Sequence, residues 1–159
     1  MSGAGLLAGR RGLIMGVANN RSIAWGVAKA AAEQGAELAF TFQGEALEKR
    51  VQPLAASVES ELIMPCDVAD DASMDAVFEQ IEKTWGGLDF MVHAIAYADK
   101  DELDGRYVDT TPGNFTRSVD ISCYSFTTLC QRAERLMTSG GAIITLTYFG
   151  AERVMPHYN

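Results

Sequence analysis

The chain has 159 residues, 48% of them hydrophobic and 21% charged, a balance that fits one globular domain with a sizeable core. A formal net charge of −8 argues against nucleic acid, because 13 cations dispersed among 21 acids cannot neutralise phosphates along a groove. No apolar run approaches the ~20 residues that span a bilayer, and Leu6-Leu7-Ala8 is cut short by Gly9-Arg10-Arg11, so neither a membrane span nor a signal-peptide core is expected.

Gly12–Met15 reads as a first strand, and Gly16-Val-Ala-Asn-Asn-Arg-Ser22 as a glycine-started turn. Ser22 is placed to cap a helix whose apolar positions Ile23, Val27 and Ala31 recur at helical spacing before Gly35 closes it. Glu37–Phe42 is the second strand. The helix predicted from about Gly44 to Ala56 contains Pro53, which is expected to kink or divide it. Glu61–Pro65 is the third strand, with Cys66 behind it as a small buried residue rather than a nucleophile. Asp70 or Asp71 caps a helix with Met74, Val77, Phe78, Ile81 and Trp85 on one face, ended by Gly86-Gly87. Leu88–Ala94 is the fourth strand. Tyr97 to Thr111 reads as a solvated loop, Phe115 to Met137 as one long helix, and Ala142–Thr147 as the fifth strand.

These strands are apolar along their length rather than alternating, which means burial on both faces of a parallel sheet. Five strands alternating with helices predict an α/β fold, a Rossmann-type doubly wound parallel sheet in the order 3-2-1-4-5. Ligands in such a sheet sit outside the carboxyl ends of the strands, so those ends are where function is sought.

At the first end, a glycine turn running into a helix N-terminus is built for a pyrophosphate, because unpaired N–H groups and the helix dipole both favour an anion. The segment departs from G-x-G-x-x-G, having Asn19 and Asn20 where small residues usually stand. Ser22 serves equally as cap or as phosphate contact. At the second end Gln43 stands where an acidic residue normally grips the ribose. No arginine adjoins it to meet a 2′-phosphate, so NADH is favoured over NADPH, with Lys49 and Arg50 keeping NADPH open. Asp67, after the third strand, is either a turn residue or an acceptor for the adenine amino group. His93 reads as structural and has no partner suggesting a metal or a triad. Cys66, Cys123 and Cys130 form no metal-spaced cluster, and their odd number suits a reducing cytoplasm. Tyr148 and Tyr158 are ten residues apart; a phenol can donate to an oxyanion, although such pairs also serve packing.

Together Gly16-Val-Ala…Ser22-Ile-Ala, Gly35-Ala-Glu-Leu-Ala-Phe-Thr-Phe-Gln43, Cys66-Asp-Val-Ala69, Leu103-Asp-Gly105, Asp120-Ile-Ser…Phe126 and Tyr148…Arg153…Tyr158-Asn159 closely resemble the enoyl-acyl-carrier-protein reductases of bacterial fatty-acid synthesis. That family is the divergent branch of the short-chain dehydrogenases/reductases. The resemblance implies NAD contacts from Gly16, Val17, Ser22, Ile23, Gln43, Asp67, Val68 and Ile95. It further implies Ala98 beside the acyl substrate, and catalysis by Tyr158 with Tyr148 assisting. The implied substrate is a trans-2-enoyl group on acyl carrier protein, and the implied assembly a homotetramer with the long helix at an interface. No metal is implied. A carbonyl reductase on the same scaffold and a non-catalytic nucleotide-binding module remain alternatives. The family pattern also has a lysine seven residues past the second tyrosine and further strands, which do not occur within these 159 residues. Residues 1–159 are therefore expected to be a single dinucleotide-binding domain, incomplete at its C-terminal side and inactive alone, with the fifth strand at an exposed apolar edge.

Overall fold

The computed structural model describes residues 5–155. Five strands, β1 (Arg11–Met15), β2 (Glu37–Phe42), β3 (Leu62–Pro65), β4 (Phe90–His93) and β5 (Ala142–Thr145), form one parallel sheet in the order β3-β2-β1-β4-β5. The order is the expected one. The side chains of β1 show why an uninterrupted apolar strand belongs at its centre. Leu13 and Met15 enter a core with Met91, Phe78, Ile81 and Leu129, whereas Ile14 enters the opposite core with Trp25, Phe40, Val51 and Val92. Register sets Gly12 against Phe90, and a Cβ on Gly12 would lie 2.0 Å from the Phe90 ring.

Helices α1 (Ile23–Glu33) and α2 (Gly44–Ala56) cover one face; α3 (Asp71–Trp85) and α5 (Ser125–Leu136) cover the other. The buried stripe of α1 is Ala24, Trp25, Ala28 and Ala31, one position round from the predicted one, and Ile23 is 68% exposed. The bulk of Trp25, packed against Phe40 with ring centroids 6.3 Å apart, sets that rotation. Pro53 does not divide α2. It stands in the last turn, where its absent N–H removes only the bond to the carbonyl of Lys49, and Ser57 then closes the helix onto the carbonyls of Pro53 and Leu54. At α3, Asp70 is the cap, its carboxylate accepting from the Ala72 amide at 3.0 Å, and Gly86 ends the helix at φ +70°.

Two further departures shape the site. The long helix begins at Pro112, because Thr111 caps it by accepting from the Asn114 amide. It then runs as α4 (Pro112–Val119), a π-helical turn (Asp120–Tyr124) and α5. The 97–111 segment is exposed but ordered by short 3₁₀ turns at Lys100–Glu102 and Tyr107–Asp109. Glu102 staples it to the helix start, accepting from the amide and hydroxyl of Thr111 and the side-chain amide of Asn114.

β5 is the outer strand of the described sheet and leaves Ile144 half exposed. Among the described residues no helix is long and apolar enough to cross a membrane, and no cluster of His, Cys, Asp and Glu is arranged to hold a metal.

Candidate functional site

The carboxyl ends of β1 to β4 open onto one cleft of about 230 Å³. Gly16, Val17, Gln43, Asp67, Val68 and Ile95 all line it, joined by Ala94, Ala96, Tyr97, Arg117 and Ile121. Ser22 and Ile23 stand at the start of α1, outside this lining. Ala98 falls in a neighbouring cavity with Leu103, Phe115, Val119 and Ser122. Tyr148 is 53% exposed and opens a short 3₁₀ turn, Phe149–Ala151. Tyr158 lies outside the described residues.

Gly16 is held at φ +94°, and a Cβ there would meet the carbonyl oxygen of Ala94 at 2.0 Å. The glycine is required by the meeting of two strand ends, not by space kept open for a ligand. The anion-accepting features come from farther along the turn. Ser22 occupies the N-cap position with extended backbone, yet its side chain makes no cap bond. Its Oγ instead accepts from the amides of Ala18 and Asn19, at 3.0 and 3.1 Å. Both acceptor lone pairs are thereby used, and the O–H remains as a donor. In the first turn of α1 the Trp25 amide donates to the Ser22 carbonyl at 3.0 Å, which leaves the Ile23 and Ala24 amides without an intrahelical carbonyl. A curled loop with one hydroxyl donor at a helix start thus fits a pyrophosphate.

Asp67 shares its polar atoms between fold and cleft. Its amide donates to Ser73 Oγ at 2.9 Å, and Oδ1 accepts from the Ala69 amide at 3.0 Å. Asp67 thus fills the turn role while also lining the cleft. Gln43 precedes α2 with no side-chain cap bond, so its amide group stays at the cleft. Cys66 is a buried member of the same lining; burial foremost, with Asp67 adding to it, pushes its thiol up to about 11, which removes it as a nucleophile near neutral pH.

The cleft wall formed by residues 94–97 is clamped from both sides. Upstream, His93 is 1% exposed, with Nε2 2.9 Å from Ser125 Oγ and Nδ1 3.2 Å from Thr145 Oγ1. Burial, stronger than the raising effect of a backbone hydrogen bond, holds its pKa below the ordinary imidazole value. Downstream, Ser122 Oγ accepts from the Tyr97 amide at 2.9 Å and donates to the Tyr97 carbonyl at 3.0 Å. Ser122 and Ser125 face these partners from the π-helical turn and the residue after it. Such turns recur at functional sites, where they re-aim side chains within a helix.

Sequence reasoning missed Ser122, Ser125 and Arg117. The serines lie in the Asp120–Phe126 segment that carries the resemblance, but their role was hidden because a π turn has no compositional mark. Arg117 stands four residues before Ile121, so helical spacing alone would have set both on one face.

A family profile described as Enoyl-(Acyl carrier protein) reductase matches residues 16–159. The enoyl-[acyl-carrier-protein] reductase [NADH] 1 of Rhizobium meliloti (strain 1021) is 63% identical over 155 residues, covering 98% of this chain and 57% of that protein. Among solved structures, an enoyl-(acyl-carrier-protein) reductase of Anaplasma phagocytophilum in complex with NAD superposes with a TM-score of 0.94 at 56% identity. That match covers 98% of this chain and 60% of the other. The Bacillus cereus enoyl-acyl carrier protein reductase with NADP+ and indole naphthyridinone gives 0.93 at 44% identity, covering 96% and 60%. The chain thus spans about three fifths of the length of the relatives it matches.

Proposed function

Because the chain belongs to the enoyl-(acyl carrier protein) reductase family, we propose that its protein uses NADH to saturate the trans-2 double bond of enoyl groups carried on acyl carrier protein, in bacterial-type fatty-acid synthesis. The 159 residues form the dinucleotide-binding part of a longer reductase. The observation that carries this reading is the single cleft at the strand ends, where Gly16, Gln43, Asp67 and Ile95 converge although they are dispersed through 80 positions of sequence.

A dinucleotide bound there would supply a hydride. Its pyrophosphate would be held at the first turn of α1 by backbone N–H groups and the Ser22 hydroxyl. Gln43 would receive the adenosine ribose, Asp67 would accept from the adenine amino group, and Val17, Val68 and Ile95 would contribute apolar walls that exclude water. Ile23 flanks the pyrophosphate end, and Ala98 borders the acyl chain. As the β-carbon of the double bond takes up hydride, negative charge accumulates on the thioester oxygen, and it is discharged when a proton from solvent reaches the α-carbon. The Tyr158 hydroxyl donates to that oxygen, and Tyr148 assists on the substrate side, an interaction stronger in the transition state than in the ground state.

The protein works in the cytoplasm as a homotetramer, with the Pro112–Leu136 helical stretch at a subunit interface. Support comes from Phe115, Val119 and Tyr124, which leave 51%, 45% and 58% of themselves exposed along that stretch. The test supplies the full-length protein with NADH and, in parallel, a trans-2-enoyl thioester or a ketone. Oxidation of NADH with the thioester alone is expected; oxidation with the ketone alone would assign a carbonyl reductase.

A further inference from the structure

We infer that Arg117 is a preorganised cation that draws the anionic dinucleotide into the cleft and holds it there, a role resting on the nucleotide reading above. Among the described residues two charged side chains line the cleft, Asp67 and Arg117, and Arg117 is the positive one. Its surroundings make that charge count. The chain is net −8, so the general field repels a dianionic pyrophosphate, and a local cation is needed to reverse the sign at the cleft.

Arg117 is also not consumed by the fold. Arg10, Arg11 and Arg132 each make an ion pair with a carboxylate, whereas Arg117 makes none among the described residues. Its guanidinium instead lies over the ring of Tyr97, 4.7 Å from the centroid. Aromatic stacking holds a guanidinium in place without neutralising it, which a carboxylate would do. The backbone of Tyr97 is fixed in turn, because Ser122 bonds both its amide and its carbonyl. Arg117 and Ser122 sit on the same helical stretch, on either side of Ile121, another lining residue. The π-helical turn therefore anchors the backbone that carries the stacked ring, and the stack itself reduces the side-chain freedom lost when an anion arrives. The same planar group leaves a guanidinium face for an adenine ring and N–H donors for phosphate oxygens.

The experiment measures NADH affinity of the full-length protein at about 50 mM and about 500 mM salt, for wild type, Arg117→Gln and Arg117→Lys. Folding of each is checked by circular dichroism. Exposed ion pairs of this kind change an equilibrium about two- to fivefold. Arg117→Gln is expected to weaken binding by that factor at low salt and to match wild type at high salt, where the Debye length shrinks to a few ångströms. Arg117→Lys is expected to keep the salt dependence while binding more weakly than wild type, having charge without the planar stack. Equal affinities and equal salt slopes in wild type and Arg117→Gln would overturn the inference alone. Failure of the wild-type protein to bind NADH at all would overturn the nucleotide reading and this inference with it.

Discussion

His93 Nε2 lies 2.9 Å from Ser125 Oγ, and this contact joins the last residue of β4 to the first residue of α5. Ser125 also donates its hydroxyl to the carbonyl of Ile121 at 2.6 Å, one helical turn back. Its remaining lone pair is thus aimed at the ring, assigning the proton to Nε2 and leaving Nδ1 to accept from Thr145. A neutral imidazole bridges the sheet, the π-helical turn and β5, the strand that leads to Tyr148.

That arrangement predicts a pH dependence of stability. Burial depresses the folded-state pKa of His93, so below an unfolded value of about 6.5 the unfolded chain binds a proton that the folded one does not. Stability is complete above that pH and falls as pH is lowered through it, until the folded pKa is reached. Urea unfolding of the full-length protein between about pH 7.5 and pH 5.5 is expected to show this slope, and His93→Gln to flatten it. Carboxylates with lowered pKa values, such as Glu102, act only at lower pH. An unchanged slope in the variant would assign the titration elsewhere.

The two glycines of the first turn region are predicted to respond in opposite ways. Gly16→Ala forces a Cβ against the Ala94 carbonyl at a positive φ, and is expected to destabilise by at least about 2 kcal/mol. Gly26 lies within α1 with open space where a Cβ would point, and Gly26→Ala is expected to stabilise by about 0.5–1 kcal/mol. Denaturant titration of each variant measures both.

Ser22→Ala removes both the acceptor shared by the Ala18 and Asn19 amides and the hydroxyl donor. Loop order and ligand contact are lost together. NADH affinity is expected to drop about tenfold or more, on the scale of one or two hydrogen bonds to a charged group. Ser22→Thr, which retains the hydroxyl, is expected to recover most of it. Isothermal titration of the full-length proteins checks both.

The thiols are predicted to separate sharply. Cys123 is exposed, whereas Cys66 is buried with its pKa raised to about 11. Alkylation near neutral pH followed by peptide mass mapping is expected to label Cys66 only after denaturation, whereas Cys123, on the stretch assigned to the subunit interface, is labelled once the assembly dissociates.

Much of this architecture was legible from residue pattern. Unbroken apolar runs such as Leu13-Ile14-Met15 can be satisfied only between two helical layers, and strand ends then converge by topology. What resisted reading was whatever depends on contacts between distant segments. Gly16 is a glycine because of Ala94, 78 positions away in sequence, and nothing local says so. The stripe of α1 was read one position off because Trp25, not Ile23, fits over Phe40. The π-helical turn follows from two serines finding partners on β4 and the residues after it. Arg117 escaped a search for cations near Gln43 in sequence, though both line one cleft in space.

The central claim is that the cleft beyond the strand ends receives the dinucleotide. Methyl-labelled full-length protein titrated with NADH tests it most directly. The account predicts that resonances of Val17, Val68, Ile95 and Ile121 shift together and saturate, while those of Leu7, Val27 and Ile144, in the groove between α1 and β5, stay in place. Saturable shifts confined to that second groove, with the cleft methyls unmoved, would contradict it.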